Sequence, residues 1–102
     1  MILRDKDRDR LITIFDSLNG SFQVWAYGSR VSGSAHEGSD LDLVIRTSDL
    51  NKLPLRDYLR LVEEIRESNI PIVVELHDWA RLPDVFHKNI LAQYEVLYSK
   101  NA

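Results

Sequence analysis

Two short runs rich in aromatic and branched residues, Phe22-Gln-Val-Trp-Ala-Tyr27 and Leu41-Asp-Leu-Val-Ile45, flank a stretch dominated by glycine and serine. Runs of this length suit strands and are too brief for helices, so the chain must build a sheet. Residues 28 to 39 hold three of the four glycines (Gly28, Gly33, Gly38) and four serines (Ser29, Ser32, Ser34, Ser39), the composition of a loop. A short helical turn is expected within it, around Ser29 to Ser34. Simple alternation in the second run puts Leu41, Leu43 and Ile45 on one face, which the core claims, and Asp40, Asp42 and Val44 on the other.

The remaining periodicities supply helices and two more strands. Leu11, Ile14, Phe15 and Leu18 recur at helical spacing from about Asp5 to Leu18, and Asn19-Gly20 stops that helix. Leu55, Tyr58, Leu59, Val62 and Ile65 mark an amphipathic helix from about Leu55 to Ser68, started by Pro54 and closed by Asn69. Ile72 to Leu76 reads as a third strand, with Val73, Glu75 and His77 on one side and Ile72, Val74 and Leu76 on the other. A last short helix opens between Pro83 and Leu91, after which Tyr94, Val96 and Tyr98 alternate like a small edge strand. The order describes an α/β (α+β) fold, helices packed on a small sheet.

Composition narrows the chemistry. At 102 residues the chain is expected to form one domain, with room for one modest core. No apolar run approaches the ~20 residues that cross a bilayer, and the start carries no sustained apolar leader, so a cytoplasmic protein without a membrane partner is expected. Without cysteine there is no disulfide, thiolate nucleophile or Cys-based zinc site. The net charge is −3 and the thirteen Lys and Arg are interleaved with acids, as in Arg4-Asp-Lys-Asp-Arg-Asp-Arg10. That opening run is read as a solvated helix face. Long nucleic acids are disfavoured, because backbone binding needs a positive face to release counterions. A small phosphorylated ligand needs only a local cradle.

Such a cradle is written into residues 28 to 42. A glycine ending a strand lets a ligand or another segment come close, and a following helical turn offers N–H groups to phosphate oxygens. Ser29 adds a hydroxyl. Asp40 and Asp42, two apart in an extended segment, project to the same side and can converge on hard divalent cations. Glu75, leaving the third strand opposite Val74, is the candidate third acid, against the plainer reading of a solvent-facing strand position. Asp78 is expected just past that strand with the opposite parity. Arg30 either steadies a phosphate, faces a partner or is a surface arginine. His36 and His77 lack ligand spacing and are read as non-metal residues. No Walker-type Gly-Lys-Ser/Thr is present.

These residues together carry a resemblance. Val24-Trp-Ala-Tyr-Gly-Ser-Arg-Val-Ser-Gly33, followed by Gly38-Ser-Asp-Leu-Asp-Leu-Val-Ile45, resembles the signature of the minimal nucleotidyltransferases of the DNA polymerase beta superfamily: Gly-Ser, ten residues, Asp-x-Asp. Here the ten are Arg30 to Ser39. Ile72-Val-Val-Glu-Leu-His-Asp-Trp79, with Phe86 and Ile90, resembles the family's third-strand region and terminal helix, so the likeness spans about residues 11 to 98. It implies a mixed-sheet core, with Gly28 and Ser29 at the triphosphate and Arg30 and Ser39 beside it. It further implies Asp40 and Asp42 as magnesium ligands, Glu75 completing a site for as many as two ions, and ATP as donor. A helical HEPN-type partner protein is implied too. The chain would be either the nucleotide-binding half of a two-chain transferase or an antitoxin that adenylylates a tyrosine of a HEPN toxin; a homo-oligomer is compatible with either. The departure is Glu75, where the family most often has Asp. A second reading therefore stands beside the enzyme, a binding module that acts by complex formation. A nucleic-acid adaptor is the weakest reading on charge grounds.

Overall fold

The computed structural model describes residues 1, 3–34 and 38–101. His36 and the loop residues beside it lie outside the described residues. The order of elements is α1 (Asp5–Asp16), β1 (Phe22–Tyr27), α2 (Ser29–Ser32), β2 (Leu41–Thr47), α3 (Leu55–Glu67), β3 (Val74–Asp78), a 3₁₀ turn (Trp79–Arg81), α4 (Asp84–Ala92) and β4 (Tyr94–Lys100). The strands form one mixed sheet in the order β3-β2-β1-β4. β1 is antiparallel to both β2 and β4, whereas β3 runs parallel to β2, with α3 as the crossover. Among the described residues no helix is long and apolar enough to cross a membrane.

The sheet is buried on both faces at its centre. On one face Leu11 and Phe15 of α1 and Leu61 and Ile65 of α3 pack on Val24, Ala26, Leu41, Leu43 and Ile45. The opposite face carries a smaller cluster of Trp25, Val44, Trp79 and Ile90. Alternation in β2 thus falls as expected, with Val44 as inaccessible as the leucines because α4 covers it.

The boundaries of α1 and β3 differ from expectation, each for a local reason. α1 stops at Asp16, where Ser17 N–H donates to Ile14 O and Leu18 N–H to Phe15 O; Leu18 is buried outside the helix. β3 begins at Val74 instead of Ile72, because its pairing can start only where β2 does: Leu41 N–H donates to Val73 O, and Leu41 lies opposite Val74. The strand then runs through Asp78, which lies inside it and pairs with Ile45. β4 is an edge strand but does not alternate cleanly. A bulge between Val24 and Trp25 sets Tyr98 opposite Val24 and Val96 opposite Trp25, so these two β4 side chains lie on opposite faces.

Two clasps fix β3 in the sheet. The Tyr58 hydroxyl donates to Leu76 O at 2.6 Å, closing an otherwise open strand edge. Asp78, 3% exposed, accepts from Leu53 N–H at 2.9 Å, Ala80 N–H at 3.3 Å and Arg81 Nε at 3.1 Å. Arg81 in turn donates to Leu53 O at 2.7 Å. The start of the crossover helix and the end of β3 are thereby tied at one buried carboxylate.

Candidate active site

Register gathers the acids. On the face opposite α1 and α3, one row crosses the whole sheet: Glu75 of β3 lies opposite Asp42 of β2, Asp42 opposite Tyr27 of β1, and Tyr27 opposite Tyr94 of β4. The next row is His77, Val44, Trp25 and Val96. Facing residues on neighbouring strands have Cβ atoms about 4.5–5.5 Å apart, so the Asp42 and Glu75 carboxyl groups occupy one neighbourhood. Glu75 is exposed and Asp42 half-buried. Glu75 is thus a solvent-facing strand residue, as the plainer reading has it, and its register beside Asp42 keeps it a candidate third acid.

The electrostatics report the same proximity. The Asp42 carboxyl is raised above the ordinary carboxylate range, first by burial, then by Glu75 and Asp40, with His77 acting in the opposite sense. The Tyr27 hydroxyl is pushed up to about 12, first by burial and then by Asp42 and Glu75. Tyr27 and His77 are thus neighbours of the acids. Neither Tyr27 nor His77 carries a motif in the sequence; the alternation that places Glu75 on this face also places His77 there, two residues on.

The segment linking β1 to β2 is shaped around Asp42. Gly28 sits at φ +81°, and a Cβ built there would lie 2.5 Å from Asp42 Oδ2. The close approach foreseen for this glycine is therefore to a catalytic candidate's own carboxylate. α2 follows at once, with Val31 and Ser32 N–H donating to Gly28 O at 3.1 and 3.0 Å, and Gly33 ends it in the left-handed region at φ +88°. Arg30 is not a surface arginine. It is 4% exposed, and its Nε donates to Ser39 O at 2.9 Å, joining α2 to the residue before Asp40. Gly28→Ala is expected to lower stability by about 1–3 kcal/mol through the positive φ alone. It should also weaken any reaction that uses Asp42, read by thermal melting beside the activity of the same sample.

The donor set fits magnesium by type. Asp40, Asp42 and Glu75 offer hard carboxylate oxygens, and the Asp42 carboxyl, raised first by burial, is raised further by the Glu75 and Asp40 charges, which a cation would relieve. Among the described residues no three potential ligands are drawn together tightly enough to enclose an ion. Magnesium seldom needs such a cage, since it commonly takes one or two carboxylates and completes its shell with phosphate oxygens and water.

Comparison with known proteins agrees with this geometry. The family described as polymerase beta nucleotidyltransferase matches residues 9–102. The chain belongs to that family. It is 41% identical over 88 residues to the probable protein adenylyltransferase MntA of Haemophilus influenzae, covering 86% of this chain and 75% of the relative. The chain is thus a nucleotidyltransferase related to MntA. Its fold matches a crystal structure of a toxin–antitoxin pair with AMP-PNP at a TM-score of 0.72 and 19% identity, over 91% of this chain and 73% of that one. It also matches a complex of a tri-AMPylated Shewanella oneidensis HEPN toxin with its MNT antitoxin, at a TM-score of 0.70 and 16% identity, over 96% and 74% of the two chains. At these identities the structural matches establish the mixed-sheet nucleotidyltransferase fold.

Proposed function

We propose that this chain is a magnesium-dependent protein adenylyltransferase that moves AMP from ATP onto a hydroxyl of a helical HEPN-type partner and so acts as its antitoxin, in the cytoplasm. The observation that carries the reading is the row in which Glu75, Asp42 and Tyr27 face one another beside the Gly28-Ser29 turn. The relationship to MntA supports the choice of AMP and of a protein acceptor.

Asp40, Asp42 and Glu75 would hold the ion or ions, which supply positive charge to the triphosphate and lower the pKa of the attacking hydroxyl. Gly28 and Ser29 receive the triphosphate where the turn leaves room for it. Ser39 adjoins them, and Arg30 holds its carbonyl, so Arg30 serves the nucleotide by fixing the loop that leads to Asp40. In the reaction a bond forms between the acceptor oxygen and the α-phosphorus, the bond from that phosphorus to the β-phosphate oxygen breaks, and pyrophosphate leaves. The acceptor proton passes to a carboxylate of the row, in which Glu75 is more exposed than Asp42.

Incubation of the partner with this chain, magnesium and ATP is expected to raise the partner's intact mass by one or more AMP units, with none from chain lacking both Asp40 and Asp42. An unmodified partner held in a stable complex would instead favour the binding-module reading. That alternative draws on one observation, the absence of a tight three-ligand cluster among the described residues.

A further inference from the structure

The two faces of the sheet are covered unequally. α1 and α3, of 12 and 13 residues, cover the core face, whereas among the described residues the site face has α4, of 9 residues, as its only helix longer than a single turn. A four-stranded sheet is about 19 Å wide, and a helix with its side chains covers about 10 Å of that. One helix, with the 3₁₀ turn that carries Trp79, does not span that width. α4 and the 3₁₀ turn meet Trp25 of β1 and Val44 of β2 through Ile90 and Trp79, and the strand left with exposed apolar side chains on this face is β4.

The exposed margin of this face is apolar. Phe86 lies one helical turn before Ile90, on the same side of α4, yet it is 49% exposed where Ile90 is 1% exposed. Val96, opposite Trp25, is 48% exposed, and Tyr94, stacked on the Trp25 ring at 3.9 Å, is 38% exposed. At the border of this patch the Arg46 guanidinium lies 5.0 Å from the Trp25 ring and 4.9 Å from the Trp79 ring. Its Nε is buried without a hydrogen-bond partner, and among the described residues no carboxylate forms an ion pair with it. A cation held in place by two indoles with no acid of its own is complementary to an incoming carboxylate.

We propose that Phe86, Tyr94 and Val96, with Arg46 at their edge, form the docking surface for a helix of the partner protein, one whose apolar face carries a carboxylate for Arg46. This rests on the partner reading above and deepens it. A helix laid beside α4 completes the second layer over the sheet, and it abuts the row of acids, because Tyr94 and Tyr27 are register partners. An acceptor hydroxyl on the partner then enters this row from its β4 end, past Tyr27 toward Asp42.

The test is the affinity of purified HEPN-type partner for full-length chain carrying Phe86→Ser, Val96→Thr or Arg46→Glu, with binding of a fluorescent ATP analogue measured on the same samples. Phe86→Ser is expected to weaken partner binding by about tenfold or more, as loss of an interface aromatic does. Arg46→Glu should weaken it comparably and Val96→Thr less, with nucleotide binding unchanged in all three. Wild-type affinity in Phe86→Ser and Val96→Thr overturns the surface while leaving the adenylyltransferase reading in place. An effect of Phe86→Ser with none of Arg46→Glu overturns the carboxylate pairing. Self-association of the chain alone that Phe86→Ser abolishes would assign the face to a second copy, overturning the proposal. Failure of the wild-type chain to bind the partner at all removes the partner reading and this surface together.

Discussion

Asp42→Asn is expected to reduce AMP transfer by about a hundredfold or more and, in the same protein freed of metal, to raise the melting temperature at neutral pH. The two effects have one cause. Asp42 is held among Glu75 and Asp40 with its carboxyl raised by burial and by those charges. That arrangement suits a cation and costs stability without one. Because the folded state favours the protonated carboxyl, the penalty is absent below the ordinary Asp range, about pH 4, and grows as pH rises through the raised folded value. Removing the charge therefore helps at pH 7 and not in acid. Melting curves in EDTA at both pH values check the sign; a carboxylate with a purely structural role would give a lower melting temperature at pH 7.

Asp78→Ala is expected to be the most damaging single change to the fold, costing about 3–5 kcal/mol, the range for removing one partner of a buried, hydrogen-bonded ion pair. Asp78 accepts from two backbone N–H groups and from Arg81, and Leu53 N–H is buried with it. For a domain near 100 residues each kcal/mol shifts the melting temperature by roughly 4–8 °C, so a fall of more than about 12 °C is anticipated. Glu75 lies three residues earlier on the strand that this clasp anchors, so activity should fall as well. Tyr58→Phe, which frees the Leu76 carbonyl, should show the same pattern more weakly. Circular dichroism melting of the pair gives the comparison, and a fall of under about 4 °C for Asp78→Ala would show that the clasp is incidental.

What the sequence made legible follows from which signals are local. β1 was readable end to end because glycines bracket an aromatic and branched run, and the Asp40, Asp42 and Glu75 side was readable because strand alternation has a fixed period. Three features needed the third dimension. The bulge that sends Tyr98 and Val96 to opposite faces is a property of pairing with β1, and a strand read alone shows only its alternation. The start of β3 depends on where β2 begins. The burial of Arg30 depends on a backbone carbonyl nine residues away, which no side-chain pattern advertises. Asp78 illustrates the same limit: its parity was read correctly, but its place inside the strand and its hold on Leu53, 25 residues distant, were not.

Gly28 shows how such information combines. As a residue type it signalled room for something close; the geometry names that something as Asp42 Oδ2. The turn proposed to receive phosphate and the acid pair are therefore not independent, since the positive φ of Gly28 also leaves space for the Asp42 carboxylate.

The most direct test of the central claim is incorporation of label into the HEPN-type partner from ATP labelled at either the α- or the γ-phosphate, with magnesium, by wild-type and Asp42→Asn chain. The geometry of a nucleotidyltransferase site predicts label from the α position only, lost in Asp42→Asn. Label from the γ position, or α-label that survives Asp42→Asn, would contradict it.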